Sequence, residues 1–178
     1  GLFGRKKKNE LVKELLRKAW SFQEKGDFAN AYPLYDEVLK KDPQNYWAWH
    51  NQGVMLERAG EHEKALGCYF NAIDTDSEED KTLAKIGYIG SLFNNEEYET
   101  VVHQIRFDLS HTLGKTIDAK QLQDIKNMNG WSLKELGRYD EAIQNYDEGL
   151  EVDKQCLGAK HDKGVCLEKL EKYDESLK

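Results

Sequence analysis

The sequence predicts an all-α protein, a solenoid of about five stacked helix-turn-helix hairpins. Three observations lead there. Apolar residues recur at three- and four-residue steps, so they line one face of a helix. Glycines stand where such stretches stop, as at Gly26 and Gly60, and glycine accepts the left-handed conformation that closes a helix. Landmark residues also repeat at a constant interval: Gly26 and Gly60, Ala31 and Ala65, and Tyr35 and Tyr69 are each 34 residues apart. Self-similarity at a fixed interval of this size marks a chain built by stacking one supersecondary unit.

Composition agrees with a folded chain rather than a disordered one. Of 178 residues, 33% are charged and 39% hydrophobic, with only two prolines and 14 glycines, which suits a folded protein with much exposed polar surface. A formal net charge of −7 argues against a surface that seeks nucleic acid, because such surfaces gain affinity when excess Lys and Arg release counterions. No stretch approaches the roughly 18 consecutive apolar residues that a membrane span requires, and the chain does not open with a secretory hydrophobic region. A cytoplasmic location is expected. Cys68, Cys156 and Cys166 are an odd number at spacings that fit no disulfide framework, so reduced thiols are expected.

Residues 1–9 read as a basic leader, expected to be solvated and mobile. Four successive cations run from Arg5 to Lys8, and the functional alternative is weak contact with anionic membrane at about 1 kcal/mol per cation. A repeat domain is expected over residues 10–178. Its first hairpin, about 12–45, has a helix striped by Leu11, Leu15, Ala19 and Phe22, closed at Gly26. A second helix follows with Phe28, Ala31, Leu34, Tyr35, Val38 and Leu39, stopping at Asp42-Pro43. Pro33 falls inside that helix and removes a backbone donor, so a local distortion is expected there. The second hairpin, 46–79, is the best-preserved copy. The third, 80–115, carries Leu83, Ile86, Gly87 and Gly90 on its first helix, with Gly87 again 34 residues after Gly53.

Two departures follow. Ala65 to Val101 is 36 residues, so the third turn, around Asn94-Asn95-Glu96, is two residues longer. Val101 to Ala142 is 41, which places seven further residues within Ser110 to Leu122. Gly114 is expected to stop the preceding helix, residues 116–122 form the insertion, and Asp118 with Gln121 reads as a capping box opening a lengthened helix from Ala119 to Leu136. Val101 and Asp108 stand where the second hairpin has Ala65 and Ala72, so looser packing is expected in the third. Strict spacing returns in the fourth hairpin, 123–156, and the partial fifth, 157–178: Gly130 to Gly164, Tyr139 to Tyr173 and Ala142 to Ser176 are all 34. The fifth ends early in its second helix, and because each repeat buries its face on the next, the native chain is expected to continue past Lys178.

The skeleton Trp49-x2-Gln52-Gly53-x2-Leu56, followed by Ala65-x3-Tyr69 and Ala72, closely resembles the tetratricopeptide repeat, and the resemblance covers about residues 10–178. It implies a right-handed superhelix whose inner wall, built from the first helix of each pair, binds an extended segment or helix of another protein. Carried onto this chain, one inward register is Trp20, Val54, Tyr88, Trp131 and Val165. A second holds Leu16, His50, Ala84, Asn127 and His161, with Arg17, Asn51, Lys85, Met128 and Asp162 beside it. Lys13, Trp47 and Lys81 complete the expected groove. Trp20 and Trp131 are the expected anchors, since tryptophan on an inner face serves binding better than surface filling; the alternative is that each caps a neighbouring core.

Chaperone-binding members of the family hold peptide carboxylates with a Lys and an Asn on one first helix, an Asn on the next, and two cations on the third. Asn51, Lys81 and Lys85 match the last three places, but Leu16 and Trp20 stand where the first Lys and Asn should be. Loss of those charge-assisted bonds argues for a groove taking an acidic and hydrophobic peptide, with a carboxylate clamp as the lesser alternative. No phosphate loop, nucleophile elbow or His-Glu-x2-His pair is present, so neither catalytic residues nor a cofactor are expected. Cys156, His161 and Cys166 make a poor metal set, because His161 and Cys166 point to different sides of one helix. The expected function is therefore a non-enzymatic adaptor. Its rivals are a regulatory segment of a larger enzyme and a self-associating scaffold.

Overall fold

The structure, a computed structural model, describes residues 2–109 and 117–176, with side chains described for 6–109 and 117–171. Among the described residues the regular structure is entirely helical. In order run α1 (Leu2–Glu24), α2 (Phe28–Lys41), α3 (Tyr46–Arg58), α4 (His62–Ile73), α5 (Glu78–Asn94), α6 (Tyr98–Gln104) continued by a π-helical turn (Ile105–Leu109), α7 (Ala119–Glu135), α8 (Tyr139–Val152) and α9 (Leu157–Ser176). Contacts divide the chain into two compact units, Gly1–Ser91 and Leu92–Lys178, and the division falls inside α5.

Helix ends follow local chemistry. Gly26, Gly60 and Gly137 close α1, α3 and α7 at φ of 74°, 75° and 73°. Glu96 does the same work in the longer third turn at φ 61°, a conformation in which a Cβ is crowded. Asp27 and Asn45 accept from the backbone N–H groups of Asn30 and Ala48 at 3.3 and 3.1 Å, capping α2 and α3. The expected capping box exists: Asp118 Oδ1 accepts from Gln121 N at 2.8 Å, and Gln121 Oε1 accepts from Asp118 N at 2.9 Å. The helix it opens has 17 residues against 13 in α3, a gain of about one turn. Gly114 lies outside the described residues.

Two expectations are corrected, and the course of the chain at Pro33 is fixed. Residues 2–9, read as a mobile leader, are the opening turns of α1; lysine is a good helix former and no proline interrupts the run. Pro33 lies inside α2, which runs through it to Lys41; the carbonyl it leaves without a donor belongs to exposed Ala29, where water can bond it. The fifth hairpin does not turn: α9 runs unbroken from Leu157 to Ser176. Glu171 stands 34 residues after the helix-closing Gly137, and glutamate favours helix where glycine would have ended it.

In the first unit α1 packs on α2, α2 on α3 and α3 on α4, while α1 also touches α3. Val12, Leu15, Ala19, Ala31, Tyr35, Val38, Ala48 and Met55 form one of its core clusters. The small residues explain the crossings. A β-carbon at Gly53 or Gly87 would lie 2.9 or 2.5 Å from the Tyr69 ring, so Tyr69 fills a slot that only glycine leaves open. In the second unit α6 packs on α7, α7 on α8 and α8 on α9, with α7 touching α9. Its core joins Val102, Leu133, Ala142, Tyr146, Ala159 and Cys166, and the Tyr146 ring lies against Gly130 in the same manner.

The π turn answers the Asp108 anomaly. α4 buries Ala65, Cys68, Tyr69 and Ala72, whereas α6 and its continuation bury Val101, Val102, Ile105 and Leu109. One widened turn rotates Asp108 out to solvent and brings Leu109, 1% exposed, inward instead. Val101 itself is fully buried.

Candidate protein-binding surface

In the first unit the 34-residue register aligns Lys13, Trp47 and Lys81 on α1, α3 and α5, with Arg17, Asn51 and Lys85 one turn on. Trp20 and Trp47 are 55% and 53% exposed, whereas Val54 and Tyr88 are half-buried. Leu16 packs onto the core, so it belongs partly to the hairpin rather than to a free face. His50 is half-buried, stacked on Tyr46 at 5.3 Å and edge-on to Tyr69 at 5.6 Å. Burial lowers its pKa, against an opposing pull from Asp80, so the ring is neutral at pH 7.

Asn51 is committed to the scaffold. Its Nδ2 donates to the Trp47 carbonyl at 2.8 Å and its Oδ1 accepts from Gln23 Nε2 at 3.2 Å, while Gln23 Oε1 accepts from the Tyr35 hydroxyl at 2.9 Å. Tyr35 and Gln23 are buried, so this chain fixes α1, α2 and α3 to one another. Lys13 and Lys81 each hold an exposed glutamate three residues away, at 3.4 Å to Glu10 and 2.8 Å to Glu78. Exposed pairs of that kind are weak, because solvent screens them, and they yield readily to a partner. By register, Trp47 stands between two pairs of cations carried by the first helices on either side of it in sequence.

In the second unit a cavity of about 290 Å³ opens between α7 and α9, walled by Phe93, Met128, Trp131 and Tyr146 with Asp124 and Asp162 at its polar side. Trp131 is 40% exposed. Phe93 meets its ring edge-on at 6.3 Å, and Lys134 Nζ lies 3.7 Å from its centroid. That ammonium also pairs with Asp162 at 2.9 Å. Asn127 forms part of the wall and donates to Cys156 Sγ at 3.5 Å. His161 is exposed and Val165 half-buried. Among the described residues no group of three His, Cys, Asp or Glu side chains is placed to hold a metal ion.

Sequence reasoning missed Phe93 and Asp124. The repeat register could have found Asp124, which matches the place of Trp47; nothing in the sequence pointed to Phe93, which arrives from the end of a different helix.

Residues 16–80 and 127–178, more than half the chain, match the family profile described as Tetratricopeptide repeat. The chain belongs to the tetratricopeptide repeat family. It is similar to a probable UDP-N-acetylglucosamine--peptide N-acetylglucosaminyltransferase SPINDLY of Hordeum vulgare, with 28% identity over 169 residues covering 92% of this chain and 17% of the relative. It is also similar to the TPR repeat-containing protein MJ1428 of Methanocaldococcus jannaschii, 22% identical over 154 residues, covering 85% of this chain and 27% of that protein. The chain thus spans well under a third of each of these curated relatives. Among solved structures, a MamA protein superposes with a TM-score of 0.78 at 20% identity, covering 95% of this chain and 87% of that one. A tetratricopeptide repeat protein from Parabacteroides merdae gives 0.75 at 22% identity, covering 94% and 63%. Likenesses at that identity establish the repeat fold, which is generally non-catalytic and serves protein interaction. No helix among the described residues is long and apolar enough to cross a membrane.

Proposed function

We propose that this tetratricopeptide repeat chain is a non-enzymatic, cytoplasmic adaptor that holds a segment of another protein against the first helices of its hairpins. One observation carries the reading: Trp20, Trp47 and Trp131 stand on first helices and are 55%, 53% and 40% exposed. Large apolar rings left wet on a rigid element supply binding energy when a partner dries them. The cations Lys13, Arg17, Lys81 and Lys85, on the first helices either side of Trp47 in sequence, favour an acidic and hydrophobic segment at the first unit. A carboxylate clamp is disfavoured, because both groups of the Asn51 amide are already bonded within the fold.

The test is affinity capture with the wild-type chain and with Trp20→Ala, Trp47→Ala and Trp131→Ala, each checked by circular dichroism, followed by mass spectrometry. The adaptor reading expects the set of captured proteins to shrink in at least one folded variant; an identical set in all three contradicts it. A second reading is favoured by the similarity to the barley N-acetylglucosaminyltransferase: the repeats are a regulatory segment of a larger enzyme. The complete open reading frame decides that. A catalytic domain on the same chain supports it, and a frame ending soon after the repeats rejects it.

A further inference from the structure

We propose that the cavity of the second unit takes the side chain of an arginine or lysine presented by the partner protein. The inference rests on the adaptor reading and specifies what one of its faces selects. At about 290 Å³ the cavity falls just below the roughly 300–1,000 Å³ common for ligand pockets, which suits one side chain rather than a whole ligand. Phe93, Met128 and Trp131 offer apolar wall for an aliphatic stem.

The polar side of the cavity is anionic. Asp162 and Asp124 both line it, and Asp124, exposed, has no hydrogen bond or ion pair among the described residues. The protein already displays the chemistry these walls accept: Lys134 sets its ammonium over the Trp131 ring and onto Asp162. Glu135 lies 3.7 Å from the same ammonium, so Lys134 is shared between two carboxylates, and Asp124 adds to the cavity wall a charge that no ion pair among the described residues offsets. Net negative potential remains for a guest.

An independent observation points to a missing donor. Tyr146 is 1% exposed and forms part of the cavity wall, and its hydroxyl is buried without a hydrogen-bond partner. Burial, reinforced by the Asp162 carboxylate, raises its pKa, so the group is a neutral phenol whose oxygen can accept from an incoming guanidinium or ammonium N–H. A buried polar atom left unpaired is costly, and a donor that reaches it relieves the cost. In the repeat register Asp124 and Asp162 occupy the places of Trp47 and Lys85 in the first unit. The two units therefore present opposite charge to whatever they bind.

The experiment is a ¹⁵N NMR titration of the full chain with two synthetic pentapeptides, four leucines flanking either arginine or its neutral isostere citrulline. The arginine peptide is expected to shift the Trp131 indole N–H signal saturably, with citrulline binding about fivefold or more weaker, as loss of a charge-assisted contact implies. The double variant Asp124→Asn/Asp162→Asn should weaken the arginine peptide by about tenfold or more, because it also leaves Lys134 free to repel a guest cation. If the double variant fails to fold, Asp124→Asn at its exposed position serves alone, with an expected loss of about threefold. Equal response to the two peptides, no response to either, or unchanged arginine binding by the folded variants overturns the proposal. Partner capture that is lost in Trp131→Ala but intact in Asp124→Asn/Asp162→Asn would overturn this inference while leaving the adaptor reading in place.

Discussion

The ring of Tyr69 rests so close to Gly87 that a β-carbon there would come within 2.5 Å of it. Tyr69 is itself 4% exposed and has no room to retreat. Gly87→Ala is therefore expected to destabilise the chain by about 1–3 kcal/mol, the usual cost of overpacking. Gly67, within α4, is the control: a β-carbon there meets nothing within 4 Å, so Gly67→Ala should stabilise by about 0.5–1 kcal/mol through helix propensity. Urea unfolding midpoints check both signs.

The π turn makes a sharper claim about neighbours. Leu109 is buried and Asp108 exposed, the reverse of what unbroken α-helical spacing from Val101 would give. Leu109→Ala should cost about 2–4 kcal/mol, while Asp108→Ala should change stability by less than about 0.5 kcal/mol. Thermal melts of the two variants distinguish the registers, and equal costs would argue for an ordinary helix.

Glu96 holds a left-handed backbone conformation that glycine holds in three other turns. Glu96→Gly is expected to stabilise by about 1 kcal/mol, since the β-carbon penalty of that conformation is about 1–2 kcal/mol and glycine's greater unfolded-state entropy takes some back. Gly137→Ala should destabilise by a similar amount. Differential scanning calorimetry measures each.

His50 gives a pH dependence. Its folded pKa lies below the ordinary value of 6.5 because burial disfavours the charged ring. The unfolded chain therefore takes up a proton at higher pH than the folded one. Stability is full above pH 6.5 and falls as pH drops from there toward the folded pKa. Urea midpoints at about pH 7.5 and about pH 5.5, a window around the ordinary histidine pKa, should separate in the wild type and converge partly in His50→Phe, which keeps the stack on Tyr46.

Much of this fold was legible because its determinants are local or periodic. Gly26, Gly60 and Gly137 mark helix ends by conformation, Gly53 and Gly87 mark crossings by size, and Asp118 with Gln121 announces a helix start in four residues. What escaped is what depends on neighbours distant in the chain. Glu96 assumes a glycine's conformation because the flanking helices demand the turn, and the π turn arises because Asp108 is excluded from a core that Leu109 can enter. The straight run of α9 was readable after all from Glu171, where the glycine is missing. At the candidate surface, the register gave Trp20, Trp47 and Trp131, but it could not show that Asn51 is held by Gln23 or that Phe93 braces Trp131.

The central claim is that the exposed first-helix tryptophans bind another protein, and the affinity of a captured partner for a Trp20→Ala/Trp47→Ala/Trp131→Ala variant tests it most directly. Isothermal titration should show the folded variant losing at least about 2 kcal/mol of binding free energy, about thirtyfold in Kd, as expected when anchor residues are truncated. An unchanged Kd with the fold intact would contradict the account.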